Sequence, residues 1–198
     1  MNKRLLVGIV LAALTAVALA AEVPAMEEKA VALATVGDVP AGITDRVREL
    51  LVTYLGPVRL RAQFDVSVEP KREKLLAGLM RRVGSNDVCL LVLAGAADGG
   101  TPVSSVCVTG AVGVVFVSAL ESGRANAATN RETFIRRVEK ESIRAAALAL
   151  GLRPCPHHRC ALYVSESEDN LDAKGCNLCP PCRVKSEKRL AEKGVKLE

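Results

Sequence analysis

The sequence predicts an α/β or α+β layer fold (an α/β-like sandwich) built on a mixed sheet. Three observations carry this expectation. Short β-leaning runs alternate with amphipathic helical segments through the first 150 residues. The run at 87–96 is continuously apolar, as a strand covered on both faces must be. Hydrophobic residues make up 49% of the chain and aromatics only 3%, so there is material for a core, and that core must be aliphatic. A chain of 198 residues with mixed charge suits one domain with a small appendage, and its composition is not that of a disordered protein.

The first twenty residues are set aside before the fold is read. "MNKR" is a short basic start. "LLVGIVLAALTAVAL" is an apolar run of about 15 residues, the length of a signal-peptide core and short of a membrane span. Ala18, Leu19 and Ala20 have the small-x-small form that signal peptidase cuts. The expectation is a secretory signal over 1–20, cleaved after Ala20, and hence an exported (periplasmic or secreted) protein. The other reading is an uncleaved N-terminal anchor, the only contact with a membrane that the sequence suggests. Losing Lys3 and Arg4 leaves 25 basic against 22 acidic residues, a formal charge of +3 in place of +5. That excess is too weak to argue for nucleic acid.

The elements follow in order. "AVALATVGDV" at 30–39 is an apolar β-leaning run interrupted by Gly37, a first strand and its turn. In "GITDRVRELLVTYLG", Ile43, Val47, Leu50 and Leu51 recur at helical spacing, and Gly56 sits where the helix stops. "VRLRAQFDVSV" at 58–68 alternates apolar and polar residues, a half-buried strand. "KREKLLAGLMRRVG" at 71–84 is an amphipathic helix ended by glycine, and "DVCLLVLAGA" at 87–96 is the central strand. "AADGGTP" is a turn. "VSSVCVTG" and "AVGVVFVSAL" are two strands joined through Gly110, and "ESGRANAA" is a loop. "TNRE" at 129–132 has the spacing of a capping box, which starts a helix over 130–150 that Gly151 ends. The order is β-α-β-α-β-β-β-α, followed by cysteine-rich loops. The tail "RVKSEKRLAEKGVK" mixes both signs at helical spacing and reads as a solvated helix face. There is no internal repeat or low-complexity segment.

Chemistry concentrates in the cysteines, of which there are seven. Cys155 and Cys160 form C-x4-C; eighteen residues later comes C-x2-C. Four thiolates suit tetrahedral zinc, and a closed four-cysteine site is structural because no position is left for water or substrate. An exported setting also invites two disulfides at the same positions. "CNLCPPC" holds two overlapping C-x2-C pairs, Cys176/Cys179 and Cys179/Cys182, and spacing alone does not choose between them. Cys89 and Cys107 lie on expected neighbouring strands, as a disulfide or as two buried thiols. His157 and His158, the only histidines, are either ligands or solvent-facing residues on the turn between Cys155 and Cys160; the second reading is the simpler one.

The stretch "GLRPCPHHRCALYVSESEDNLDAKGCNLCPPC" resembles the C-terminal part of the archaemetzincins, a family of zinc metallopeptidases. In that family a helix carries H-E-x-x-H-x-x-G, then a third histidine with a cysteine directly after it. A second cysteine follows after four residues, and a C-x-x-C lies about eighteen residues later. Gly151, Cys155, Cys160, Cys179 and Cys182 match that spacing without a gap. "RRVEKESI" resembles the lead-in to the catalytic helix, and "VALATVGDVP" the first strand and loop. The resemblance thus implies a metzincin-like domain over 21–153 and a cysteine-rich segment with a C-terminal helix over 154–198. It implies one structural zinc per chain, held by Cys155, Cys160, Cys179 and Cys182 rather than by Cys176.

The departures bear on activity. The resemblance puts the zinc-binding histidines at 144, 148 and 154 and the general-base glutamate at 145, where Arg144, Leu148, Pro154 and Ala145 stand. The methionine two residues after the second cysteine is Leu162. Arginine stays protonated and binds no cation, and alanine, leucine and proline side chains offer no lone pair. "KESIR" at 140–144 mimics H-E-x-x-H one turn earlier, but Lys140 and Arg144 are not zinc ligands, and Glu141 reads as a solvated helix-face carboxylate. The expected function is therefore an exported, catalytically inactive archaemetzincin-like protein. It retains a structural four-cysteine zinc site and binds a peptide or protein partner, with peptides placed along the old substrate cleft. Two other readings are an active zinc peptidase with unusual ligands such as His157, His158 and Glu166, and a disulfide-stapled exported domain without metal.

Overall fold

The computed structural model describes residues 28–65, 72–95, 105–121 and 127–196. The expected signal segment, the "AADGGTP" turn and most of the "ESGRANAA" loop lie outside these residues. In chain order the elements are β1 (Ala30–Val36), α1 (Ile43–Leu55), β2 (Val58–Leu60), α2 (Arg72–Met80), β3 (Asp87–Ala94), β4 (Val106–Thr109), β5 (Val112–Phe116), α3 (Ala127–Ala149), α4 (Glu168–Ala173) and α5 (Pro180–Glu192). A 3-10 turn, Val117–Leu120, follows β5.

The five strands form one sheet in the order β2-β1-β3-β5-β4. All neighbours are parallel except β4 and β5, an antiparallel hairpin turned by Gly110 at φ +52°. Sheet and helices give the mixed α/β architecture that the sequence predicts. β3 takes the centre as the longest strand and is apolar on both faces, its residues from Val88 to Ala94 all buried. Strand alternation then splits the core in two. Val31, Leu33, Cys89, Leu91 and Leu93 face α1 and α3. Ala32, Ala34, Leu90, Val92, Val114 and Phe116 face Leu75 and Leu79 of α2. α1 buries Ile43, Val47, Leu51 and Leu55, one stripe of its surface, and Gly56 closes it.

Four expectations are corrected. Of the strand expected over 58–68, the described residues to 65 hold three in strand, Val58–Leu60, although Arg61 N–H and Phe64 N–H still reach Leu33 and Thr35 carbonyls at 2.9 Å, and 66–68 lie outside the described residues. Regular pairing stops where Arg61 turns to the buried Asp87 carboxylate, 2.6 Å away, which also accepts the Gly84 amide at 2.6 Å. That clamp takes Gly84 out of α2, which ends at Met80. α3 starts at Ala127, so Thr129 lies inside its first turn and not at its cap. Cys89 and Cys107 are not on neighbouring strands, because β5 lies between β3 and β4. They also face different halves of the core, and both are free thiols.

Candidate metal centre

α3 delivers the chain to the site. Its last turn closes at Gly151, where φ is +94°, a conformation open to glycine. The chain then makes a tight knuckle: Cys155 N–H donates to Leu162 O at 3.1 Å, Cys160 N–H to His157 O at 2.9 Å, and Tyr163 N–H to Cys160 O at 2.9 Å. A second loop lies against it, with Ala161 N–H to Asn177 O at 2.9 Å and Gly175 N–H to Arg159 O at 3.2 Å. A Cβ on Gly175 would sit 2.7 Å from that same carbonyl, so the approach requires glycine. Cys179 then caps α5, and the prolines after it occupy positions whose amides need no helical partner.

This packing brings the Cys155, Cys160, Cys179 and Cys182 sulfurs within 4.8 Å of one another. The Cys155 and Cys179 sulfurs are 3.8 Å apart, and the Cys179 amide points at the Cys160 sulfur from 3.4 Å. Four Zn–S bonds of about 2.3 Å in a tetrahedron put each pair of sulfurs roughly 3.8 Å apart. A disulfide needs about 2.05 Å and joins sulfurs in pairs. Here four thiols converge on one point, so the donor set fits one zinc. Burial pushes the Cys160 and Cys182 thiols up. Burial also acts on Cys179, but hydrogen bonds from the Cys182 amide and the surrounding thiols outweigh it and bring that thiol down. A dication at the centre reverses the burial penalty for all of them.

Cys176 is half-buried and outside the cluster. Burial and Glu139 push its thiol up, while Lys140, Arg136 and Lys174 pull it down. His157 and His158 are exposed and stacked on each other, their ring centroids 5.3 Å apart. They are not in the cluster, and neither is the exposed Glu166.

The other positions of interest lie on or just after α3. Arg144 is tied to Glu141, Nε to Oε2 at 2.7 Å. Ala145 is buried against β5, Leu148 packs against the core, and Pro154 is exposed in the loop after Gly151. No side chain there offers a ligand atom, so a second zinc at these positions does not fit. Glu141 is no solvated carboxylate: its side chain is 1% exposed and it pairs with Arg144 and with Lys174. Two further residues of α3 were not evident from the sequence. Arg137 binds Asp172 of α4 through both carboxylate oxygens, at 2.6 and 2.7 Å. Lys140 donates to the Leu171 and Asp172 carbonyls, which fixes the end of α4.

Fold and site together define a mixed α/β protein with a closed four-thiol metal centre. No protein-family model matches the chain, and no curated protein matches it. Three crystal structures share its architecture. The archaemetzincin of Methanopyrus kandleri is 24% identical with a TM-score of 0.62, over 85% of this chain and 99% of that one. A zinc-dependent peptidase of Methanocorpusculum labreanum is 20% identical with a TM-score of 0.59, over 79% and 99%. The archaemetzincin of Archaeoglobus fulgidus, complexed with malonate, is 20% identical with a TM-score of 0.55, over 78% and 98%. At these identities the likeness is one of fold, and the fold is that of the archaemetzincins.

Proposed function

We propose that this chain is a non-catalytic archaemetzincin-like protein, exported, with one structural zinc on its four cysteines, and that it acts by binding a peptide or protein partner. One contrast carries this reading. The four thiols converge within 4.8 Å, whereas the four positions that the resemblance assigns to peptide hydrolysis hold Arg144, Ala145, Leu148 and Pro154. Zinc held by Cys155, Cys160, Cys179 and Cys182 supplies no chemistry beyond a cross-link. The residues around it do the holding: the knuckle fixes the first pair, and the first turn of α5 fixes the second. Export rests on the sequence of the first twenty residues. Among the described residues no helix is long and apolar enough to cross a membrane.

The test is zinc per chain on the purified protein, with a free-thiol count and a peptidase assay. One zinc, lost in the Cys179→Ser/Cys182→Ser variant, with no cleavage of a mixed peptide library, is the expected result. A second zinc that survives that change, or peptide cleavage, overturns the non-catalytic reading. No zinc with the thiols blocked overturns the metal and favours disulfides.

A further inference from the structure

A groove of about 1040 Å³ runs between α5 and the loop over 151–162. Its apolar floor is made by the exposed Pro154, Pro156, Pro180 and Pro181, over the buried Leu152, Leu162 and Leu178. Its banks are cationic. Arg153 and Arg159 stand on the loop side. Lys185, Lys188 and Arg189 stand on α5, at the i, i+3, i+4 spacing that places them on one helix face. Glu192 is the only carboxylate of the lining, and it is engaged by Arg189 at 2.9 Å and approached by Lys188 at 4.0 Å. Arg153, Arg159 and Lys185 are exposed and have no ion pair among the described residues. Five cations against one carboxylate give +4; a zinc tetrathiolate, at −2, still leaves +2.

We infer that this groove docks an acidic segment of a partner polypeptide, with carboxylates on the two banks and aliphatic side chains on the floor. The inference rests on the reading of the protein as a zinc-stabilised binding module and gives its partner a chemistry. The cations supply attraction and register. The exposed prolines of the lining, Pro154, Pro156, Pro180 and Pro181, offer apolar contact to aliphatic side chains, which a bare polyanion lacks. The lining has no aromatic ring apart from the His157 imidazole, so it offers no platform on which bases would stack, which disfavours nucleic acid.

The test uses the purified zinc-loaded protein and fluorescence anisotropy of a labelled peptide of alternating glutamate and leucine. Its controls are the same peptide with glutamine for glutamate, and a DNA duplex. The glutamate peptide is expected to bind, to weaken with salt, and to lose roughly tenfold or more in affinity in the Arg153→Glu/Lys185→Glu variant. The milder Arg153→Gln/Lys185→Gln variant is expected to lose less, in the same direction. Arg48→Glu/Arg81→Glu, which reverses two exposed cations elsewhere, is expected to leave binding within about twofold. Equal losses in the groove and control variants, equal binding of the glutamine peptide, tighter binding of DNA, or no binding at all each overturn the inference. Zinc content and peptidase activity are read on the same samples. A protein that holds one zinc, cleaves nothing and ignores the acidic peptide fails the groove alone. A protein without zinc fails the earlier reading.

Discussion

Glu141 of α3 and Lys174, the residue that caps α4, form a buried ion pair, Nζ to Oε1 at 2.5 Å, with side chains 1% and 0% exposed. Arg144 takes the other carboxylate oxygen at 2.5 Å. Lys174 also donates to the Ala161 and Tyr163 carbonyls, at 3.4 and 3.2 Å. One ammonium thus joins the middle of α3 to the knuckle that carries Cys155 and Cys160. Burial pushes the Lys174 ammonium down, and Glu141 pulls it back.

Removing the Glu141 carboxylate leaves the buried Lys174 ammonium without a counter-ion, which costs about 3–5 kcal/mol, whereas removing Lys174 leaves Glu141 still paired with Arg144. Glu141→Gln is therefore expected to lose stability of that order in urea unfolding. Glu141→Gln/Lys174→Met, which removes both charges, is expected to recover a good part of the loss. A single variant within about 0.5 kcal/mol of the parent would mean that the pair does not hold the knuckle.

Gly113 of β5 sets how closely α3 lies on the sheet. A Cβ there would stand 2.7 Å from the Ala145 carbonyl oxygen and 3.2 Å from the Ala145 Cβ. Gly113→Ala should push the helix off the strand and cost roughly 1–3 kcal/mol by overpacking. Chemical denaturation of Gly113→Ala measures it, and an unchanged midpoint would show that the helix has room to move.

Cys89 gives a pH dependence. Its thiol is fully buried in β3, and burial pushes it up to about 12 from an ordinary 9.0. The folded state therefore holds this proton at pH values where the unfolded state has lost it. The sign follows: stability is fully present below pH 9 and falls as pH rises from 9 through 12. The loss from this group is about 1.4 kcal/mol per pH unit in that window, or roughly 2 kcal/mol by pH 10.5. Cys89→Ala lowers stability at neutral pH by leaving a small cavity, but it should remove this slope. Urea unfolding at pH 8.5 and 10.5 for both proteins reads the difference, and equal slopes would refute the assignment.

The parts of this fold that are legible in the sequence depend on local pattern. α1 was readable from Ile43, Val47 and Leu51, and the centrality of β3 from an apolar run with no polar face. The four thiols were readable because fixed spacings bring ligands to one ion, and the resemblance chose Cys182 over Cys176. What was missed depends on distant partners. Glu141 looks solvated in the polar run "EKES" at 139–142 until Lys174, 33 positions away, folds onto it. α4 spans six residues with Leu171 alone buried, so it has no apolar period to read. Its cap was there to be seen, since the Ser167 hydroxyl accepts the Asn170 amide at 3.2 Å. Cys89 and Cys107 are adjacent in strand sequence order, but β5 inserts between their strands, and strand order is not a local property.

The zinc site divides the molecule energetically, and that division is testable. The ladder of β1 and β3 involves no residue of the metal loops, although Cys160 and Cys182 pack on one edge of the same core, whereas the knuckle and the start of α5 meet at the four sulfurs. Without a dication, the knuckle and the start of α5 lose the cross-link through the four sulfurs and keep only the hydrogen bonds between their loops. Chelation is therefore expected to raise amide exchange at Cys160, Ala161, Cys179 and Arg183, whose amides are bonded within this unit. Val31, Leu90 and Leu91 in the sheet should stay protected, because their ladder does not involve the site. Cys155→Ser alone should lower zinc occupancy, since serine is a poor ligand for a zinc that prefers thiolate. His157→Ala/His158→Ala should leave it at one per chain, because the stacked imidazoles point into solvent. Hydrogen exchange with and without a chelator, together with zinc analysis of the two variants, checks both halves. Loss of zinc on removing the histidines would place an imidazole on the metal and reopen the ligand set. Exchange that rises equally in β3 would make the zinc part of the main core.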